Sequence, residues 1–262
     1  MVGGGVVVLL LAVGLVIWHV IARRKEGRLV AARPSTAGEL AQIAKTVAGE
    51  IGGGGFKQFA ELAGQVQCPS PLRSPLGSAT CLYYRMSISR RYEEEYWDTD
   101  SKGNRTRRTR SGSEVMSSET RGCDFDLVDA SGAVRIRLDG ADFDGLRKTV
   151  DRFEPGGDGG GMRIGFGGFS MTVGAIGSGR RTLGYEYDEV VLPAEGRLTV
   201  IGEVDDSGSG LSVGKGGPMF IVSTRTKQEM IGSARTTAKY TAIGSGVLAL
   251  VGIGLLVAGL LQ

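Results

Sequence analysis

Residues 80–97, with the sequence TCLYYRMSISRRYEEEYW, decide the class of fold. Aromatic and other apolar residues alternate there with polar ones, which is typical of a long, half-buried β-strand. The polar stretch 98–110, DTDSKGNRTRRTR, predicts the tip of a hairpin, and its return strand is expected at about residues 113–121. The chain is therefore expected to contain an antiparallel β-sheet.

Shorter strand patterns flank this hairpin on both sides. Residues 123–128 and 133–138 predict a second hairpin in which Val134, Ile136 and Leu138 face the core and the intervening arginines face solvent. Residues 141–153 are expected to form a short helix. Further strands are predicted at 59–68, 183–192, 198–204 and 220–222. The predicted fold class is α+β, with a β-rich antiparallel soluble domain over residues 57–224.

Each end of the chain carries an apolar segment. Residues 2–22 and 240–261 contain no formally charged side chain, and about 20 such residues suffice to cross a ~30 Å hydrocarbon layer. We expect a transmembrane helix at 1–22 and, at 225–261, a helix that leads into a second transmembrane span. The two transmembrane helices flank the soluble domain.

Between the first span and the strands, residues 23–56 predict a juxtamembrane helix and a hinge. Residues 35–51 carry apolar side chains at helical spacing, and either Ser35 or Thr36 can cap the start of this helix. Four glycines at 52–55 end it. Residues 156–180 contain GGDGGG, GFGG and GSG and are expected to be a mobile, glycine-rich insertion.

Positive charges beside the spans predict their orientation. Arg23, Arg24 and Lys25 follow the first span, and Arg235 and Lys239 precede the second. Such residues favour the cytoplasmic side, so we expect an integral membrane protein with two spans, a cytoplasmic soluble domain and both termini outside. A cleaved signal peptide is the alternative for the first segment, but its positive charges would precede the apolar stretch.

The spans contain two features that allow more than one interpretation. His19 is either an intramembrane proton carrier or ligand, or a neutral histidine near the end of the helix. Small residues at Ala242, Gly246, Gly254 and Ala258 permit close helix packing. That packing would join either the two ends of this chain or two copies of it in a homo-oligomer.

The composition gives no credible catalytic set. A net charge of +3 gives little sign of a nucleic-acid partner, and the soluble part has no histidine. The carboxylates of residues 93–95 and 205–206 lie beside expected turns and strand ends, where charges are usually solvated. Residues 208–215 lack the spacing of a phosphate-binding loop. No catalytic residue, cofactor or metal site is predicted.

The cysteines form neither a disulfide framework nor a zinc site, because they are three in number and contain no CxxC pair. Cys68, Cys81 and Cys123 are expected to be structural rather than nucleophilic. If the domain were extracytoplasmic, a disulfide between Cys68 and Cys81 would be plausible.

A basic cluster is the one charge feature that suggests an interaction site. Arg105, Arg107, Arg108 and Arg110 are expected at the hairpin tip, where they would touch anionic headgroups or an acidic partner. The alternative is that these arginines keep an exposed β-tip soluble.

The soluble part resembles the domain that lies between the two spans of GIDE/MULAN-type membrane ubiquitin ligases. The resemblance covers roughly residues 57–261. It rests on these segments in order: GQV at 64–66, PL at 71–72, SP at 74–75, CLYYR at 81–85, FDL at 125–127, GAV at 132–134, EVVLP at 189–193, LTVIGE at 198–203 and PMFIVS at 218–223.

The resemblance implies a domain and a membrane setting rather than a transferase activity. In the eukaryotic ligases a zinc-binding RING follows the second span, and a RING needs about eight Cys and His ligands, which this sequence lacks. The leading interpretation is a membrane-anchored protein-binding or scaffold module whose protein partner is unidentified. The alternatives are an E3 ubiquitin ligase-like component, working with a separate catalytic chain, and a subunit of a larger membrane complex.

Overall fold

The computed structural model describes residues 2–99, 101–156, 162–166, 169–173, 180–207 and 210–260. The helices are α1 (Val2–Ala31), α2 (Ala37–Ile51) and α3 (Lys227–Leu260). The strands are β1 (Arg33–Pro34), β2 (Lys57–Gln67), β3 (Leu72–Arg73), β4 (Thr80–Thr99), β5 (Arg105–Gly122), β6 (Phe125–Asp129), β7 (Gly132–Ile136), β8 (Asp142–Asp144), β9 (Arg147–Pro155), β10 (Met162–Phe166), β11 (Phe169–Val173), β12 (Arg180–Pro193), β13 (Arg197–Asp205), β14 (Ser212–Gly214) and β15 (Ile221–Ser223). The fold is α+β with mostly antiparallel sheets, as predicted.

Helices α1 and α3 pack against each other and are long and apolar enough to cross a membrane. Their closest approach uses glycines other than those predicted from spacing. A Cβ atom at Gly252 would lie 2.9 Å from Leu9, and one at Gly5 would lie 2.9 Å from Leu256. Gly246 and Gly254 have nothing within 4 Å.

Helix α1 continues beyond the apolar segment to Ala31. Leu29, in this extension, is fully buried and packs in one cluster with Ile201 of β13 and Met230 of α3. The extension therefore joins the long apolar helices to the domain formed by the strands as continuous helix rather than through a flexible connector.

Five strands of the soluble domain close into a barrel in the order β2, β6, β7, β14, β13. The barrel closes because β13 pairs with β14 and also with β2. All neighbours are antiparallel except β7 and β14. Leu62, Phe125 and Val200 are among the residues that fill its interior, and Leu40 of α2 packs on the same core. Thr36 is the N-cap of α2, accepting a 3.3 Å hydrogen bond from the Glu39 amide.

One position in the barrel requires glycine. Gly64 lies in β2, and a Cβ atom there would come 2.5 Å from the Val128 carbonyl oxygen in the neighbouring β6. Because backbone cannot yield by that much, a side chain at this position would force β2 and β6 apart.

A second sheet has the order β3, β4, β12, β9, and β5 pairs with the free edge of β4. Alternate residues of its long strands, such as Met86, Ile88 and Tyr187, are buried in a separate core cluster. Leu82 and Leu192 belong instead to the barrel core. Strands β4 and β12 therefore connect the two cores.

The structure confirms both predicted hairpins, β4–β5 and β6–β7, and the inward positions of Val134, Ile136 and Leu138. The helix predicted at 141–153 is wrong, because these residues form β8 and β9. Strand β8 pairs with β15 and β9 pairs with β12. Gly145, with φ of 71°, separates the two strands.

In the part of the predicted insertion at 156–180 that the structure describes, β10 and β11 form an antiparallel pair. Residues 157–161, 167–168 and 174–179 lie outside the described residues, so the prediction that this segment is mobile stays a prediction.

Candidate functional site

A set of polar contacts ties the two long apolar helices, α1 and α3, to each other and to the domain formed by the strands. The Lys227 Nζ atom, buried at the start of α3, donates to the Ala32 carbonyl and to the Glu61 carboxylate, each at 2.8 Å. Glu26 of α1 accepts a hydrogen bond from Arg235 of α3 at 3.0 Å. We call the contacts of Lys227 with Ala32 and Glu61 the anchor clamp, because they join the end of α1, the start of α3 and strand β2.

His19 belongs to the same helix pair. Its Nδ1 atom lies 2.8 Å from the Ala238 carbonyl oxygen of α3. A carbonyl accepts but never donates, so this contact requires the tautomer with a hydrogen on Nδ1. The contact joins α1 to α3 through a side chain near the inner end of the apolar segment.

Next to the clamp, an open cleft of about 710 Å³ lies between α1 on one side and strands β4, β8 and β15 on the other. Residues at spacings of three, four and seven on α1 place one face of this helix on the cleft. That face consists of Ile21, Arg24, Lys25 and Arg28. The opposite wall includes Arg85 from β4 and a stacked pair of rings, Tyr83 and Phe143, whose centroids are 3.9 Å apart.

The cleft also contains two carboxylates, those of Asp142 and Asp144. The Asp144 carboxylate accepts a hydrogen bond from Arg225 Nε at 2.7 Å and another from the Ser223 hydroxyl at 3.0 Å. Burial alone would raise the pKa of Asp144, but these hydrogen bonds outweigh it and hold the pKa below its usual value. Within the described residues, Arg24, Arg28 and Arg85 form no ion pair, so their positive charges are uncompensated by direct contact.

The predicted basic cluster lies in strand β5, next to the tip rather than at it. Strands β4 and β5 pair as far as Thr99 and Arg105, and we call residues 93–99 with 105–110 the hairpin arm. Each predicted arginine has a partner across the arm. Arg107 pairs with Glu95, Arg108 with Asp98, Arg110 with Glu94, and the Arg105 guanidinium lies 5.7 Å from the Trp97 ring centroid.

Two aromatic side chains of the arm face solvent. Trp97 is 60% exposed and Tyr96 is 37% exposed. Arg110 lies over the Tyr96 ring at 5.6 Å. Tyr96 and Trp97 are neighbours in an extended strand and point to opposite faces, so each face of the arm carries an exposed aromatic ring beside an arginine.

The acidic stretches have structural partners. The Asp206 carboxylate accepts hydrogen bonds from the amides of Gly54 and Phe56, and Asp205 accepts from Ser207 and Ser212. These contacts fix the loops at one end of the barrel. Among the described residues, no three His, Cys, Asp or Glu side chains are grouped to hold a metal ion.

A fully buried carboxylate that the sequence pattern did not single out is closely bonded. Glu189 of β12 has no exposed surface and accepts four hydrogen bonds, from Ser74 Oγ, the Leu76 and Gly77 amides and Thr149 Oγ1, at 2.7 to 2.9 Å. It holds the 74–78 loop against the sheet. Its signal in the sequence is an acidic residue at an inward position between Tyr187 and Val191.

The cysteines pair differently from the sequence-based suggestion. Cys68 lies next to Cys123, with the two Sγ atoms 3.8 Å apart, and Cys81 is buried. All three are free thiols. Burial and, secondly, the contact with Cys68 raise the pKa of Cys123 to about 11, so its reactive thiolate form is scarce at neutral pH.

We predict that the alkylation rate of Cys123 in the folded chain keeps rising about tenfold per pH unit from pH 7 to about pH 10. An ordinary thiol levels off near pH 9 because it is then mostly thiolate. The measurement is timed labelling with iodoacetamide and peptide mass spectrometry, with the urea-unfolded chain as the control. A plateau below pH 9 in the folded chain would contradict the prediction.

Comparison with known proteins identifies a family. The family model described as GIDE, E3 ubiquitin ligase, matches residues 93–259, nearly two thirds of the chain. No curated protein and no solved structure matches the chain. The matched region begins at the hairpin arm, includes β12, β13 and β15, and extends through α3. The chain therefore belongs to the GIDE family of E3 ubiquitin ligase-related proteins.

Proposed function

We propose that the chain is a membrane-anchored protein-binding module whose hairpin arm receives a protein partner. The observation that carries the proposal is the pair of exposed rings, Tyr96 and Trp97, each beside an arginine on a strand pair that extends from the sheet. Trp, Tyr and Arg are the residues that contribute most often to binding hot spots.

The charge of the arm favours a protein over a lipid surface as its partner. Residues 93–110 contain as many acidic as basic side chains, and the arginines at 107, 108 and 110 are paired with carboxylates. An anionic bilayer attracts unpaired positive charge, whereas a neutral surface with aromatic anchors suits a protein interface.

The proposal places the soluble domain in the cytoplasm. Support comes from the basic residues that flank both spans at the same end, where Glu26 of α1 meets Arg235 of α3. The partner would then be a cytoplasmic protein or the cytoplasmic part of a membrane protein.

The test is site-specific photo-crosslinking in native membranes from position 97, followed by mass spectrometry. We expect one recurrent protein adduct that is lost in a Tyr96→Ala variant. Val115 is the matched control, because it is 63% exposed and apolar but lies outside the arm. A crosslinker at position 115 should not yield this adduct, and Val115→Ala should leave the position-97 adduct intact. Equal adducts from both positions, or adducts to extracytoplasmic proteins only, would contradict the proposal.

The family match supports a second candidate, a component of a ubiquitin-transferring complex. A crosslinked partner that itself carries zinc ligands or ubiquitin-conjugation machinery would favour this role. Autoubiquitination of the purified chain with only E1 and E2 would overturn the proposal that the chain is a binding module without catalysis of its own.

A further inference from the structure

The geometry points to a binding site for the phosphate-bearing headgroup of an anionic membrane phospholipid in the cleft between α1 and strands β4, β8 and β15. The site uses four cations from two separate elements, Arg24, Lys25 and Arg28 of α1 and Arg85 of β4. It lies away from the hairpin arm and does not depend on the protein-binding proposal.

The basic residues of the cleft lie, along the axis of α1, at the level expected for the lipid headgroup layer. The apolar segment of α1 ends at Ala22, and at 1.5 Å per residue Arg24 and Arg28 lie about 3 and 9 Å beyond it along the helix axis. The polar layer on each side of a bilayer is about 5–8 Å thick. Ile21, at the lower end of the lining, is still within the apolar segment.

The charges of the lining favour an anion. Four cations face two carboxylates, Asp142 and Asp144, and Asp144 is already neutralised by Arg225. Guanidinium groups bind phosphate oxygens with paired, charge-assisted hydrogen bonds. Because Arg24 and Arg28 are one turn apart on one helix face and Arg85 projects from the opposite wall, a phosphate between them is contacted from two sides.

The continuity of the cleft with the membrane favours a lipid over a free anion. Ile21 and, one turn earlier, the exposed Trp18 extend the same side of α1 into the apolar region. An anchored lipid can keep its acyl chains in the bilayer against these side chains while its phosphate enters the cleft. A soluble phosphate gains none of that apolar contact.

The test is retention of phosphatidylglycerol by the full-length chain, transferred from phosphatidylcholine nanodiscs that contain a minor fraction of this lipid and analysed by native mass spectrometry. Losing a hydrogen bond between a charged side chain and the phosphate costs about tenfold in retention, so Arg24→Gln/Arg28→Gln should weaken retention about 100-fold. The matched control Arg23→Gln/Lys239→Gln removes two charges at similar depth outside the cleft and should weaken it less than about threefold.

A second pair of variants distinguishes lipid binding in the cleft from general electrostatic attraction between the protein and the bilayer. Arg85→Gln should weaken retention about tenfold, because a direct bond to the phosphate is lost, whereas Arg73→Gln, an exposed arginine of the same sheet outside the cleft, should leave it unchanged. Equal losses in both double variants, or no loss with Arg85→Gln, would overturn the inference. Displacement of the lipid by millimolar inorganic phosphate would show a site for free anions instead, and would also overturn it.

Discussion

Replacing Glu189 by alanine is expected to lower the unfolding free energy of the soluble domain by about 4 kcal/mol. The Leu76 and Gly77 amides would lose their acceptor in a buried setting, and each such orphaned donor costs about 1–3 kcal/mol. The hydroxyls of Ser74 and Thr149 can rotate toward other acceptors, so their loss is smaller. In thermal unfolding of the full chain in detergent, followed by near-ultraviolet circular dichroism, the midpoint should fall by about 12 °C.

The matched control for this change is Glu186→Ala. Glu186 lies in the same strand and pairs with Arg91 at 3.0 Å, but both side chains are partly exposed to solvent. Exposed pairs contribute about 0–1 kcal/mol, so the midpoint should move by no more than about 3 °C. Similar shifts for Glu186→Ala and Glu189→Ala would show that the four-donor site is not the source of stability.

Replacing Lys227 by methionine is expected to cost about 3 kcal/mol, because it leaves the Glu61 carboxylate as an unpaired charge in a largely buried site. The Ala32 carbonyl loses a donor in the same step. The anchor clamp would open, and hydrogen exchange at the end of α1 and the start of α3 should become faster. The midpoint of thermal unfolding should fall by about 9 °C.

A double variant tests whether the loss comes from the unpaired charge. Lys227→Met/Glu61→Met removes both charges and should regain at least half of the lost stability, because replacing both partners of a buried pair is often nearly neutral. Lys57→Met is the control in strand β2, since the Lys57–Glu203 pair is more exposed and should cost less than about 1 kcal/mol. A double variant no more stable than Lys227→Met would contradict this account.

Local sequence patterns were sufficient to predict the elements that are determined by residues close to one another in the sequence. The two spans follow from runs of apolar residues, and the β4–β5 and β6–β7 hairpins follow from alternation between short polar turns. Residue type narrows the N-cap of α2 to Ser35 or Thr36, and the structure has Thr36. These features need no knowledge of what lies across the fold.

Features that depend on distant partners were not predictable in the same way. The barrel closes through the pairing of β2 with β13, whose residues are far apart in sequence. Residues 141–153 have a pattern that permits a helix, and only pairing with β15 and β12 makes them strands. Cys68 meets Cys123 for the same reason.

The lining of the cleft falls between these two cases. Arg24 and Lys25 are used in the sequence analysis only to orient the membrane span, and Arg28, on the same helix face, is not singled out there. Arg85 reaches the same cleft because β4 passes beside α1 in the folded chain. No local pattern indicates that approach.

The anchor clamp has a consequence for how such a domain can be inserted between other helices during evolution. Because Lys227 contacts Ala32 directly, the polypeptide enters and leaves the soluble domain at adjacent points. A domain with adjoining ends can be spliced between two neighbouring antiparallel membrane helices without lengthening either of them. The part of the chain between the two helices therefore has the geometry of an inserted domain. Recombination can transfer such a domain as a single piece from one pair of membrane helices to another.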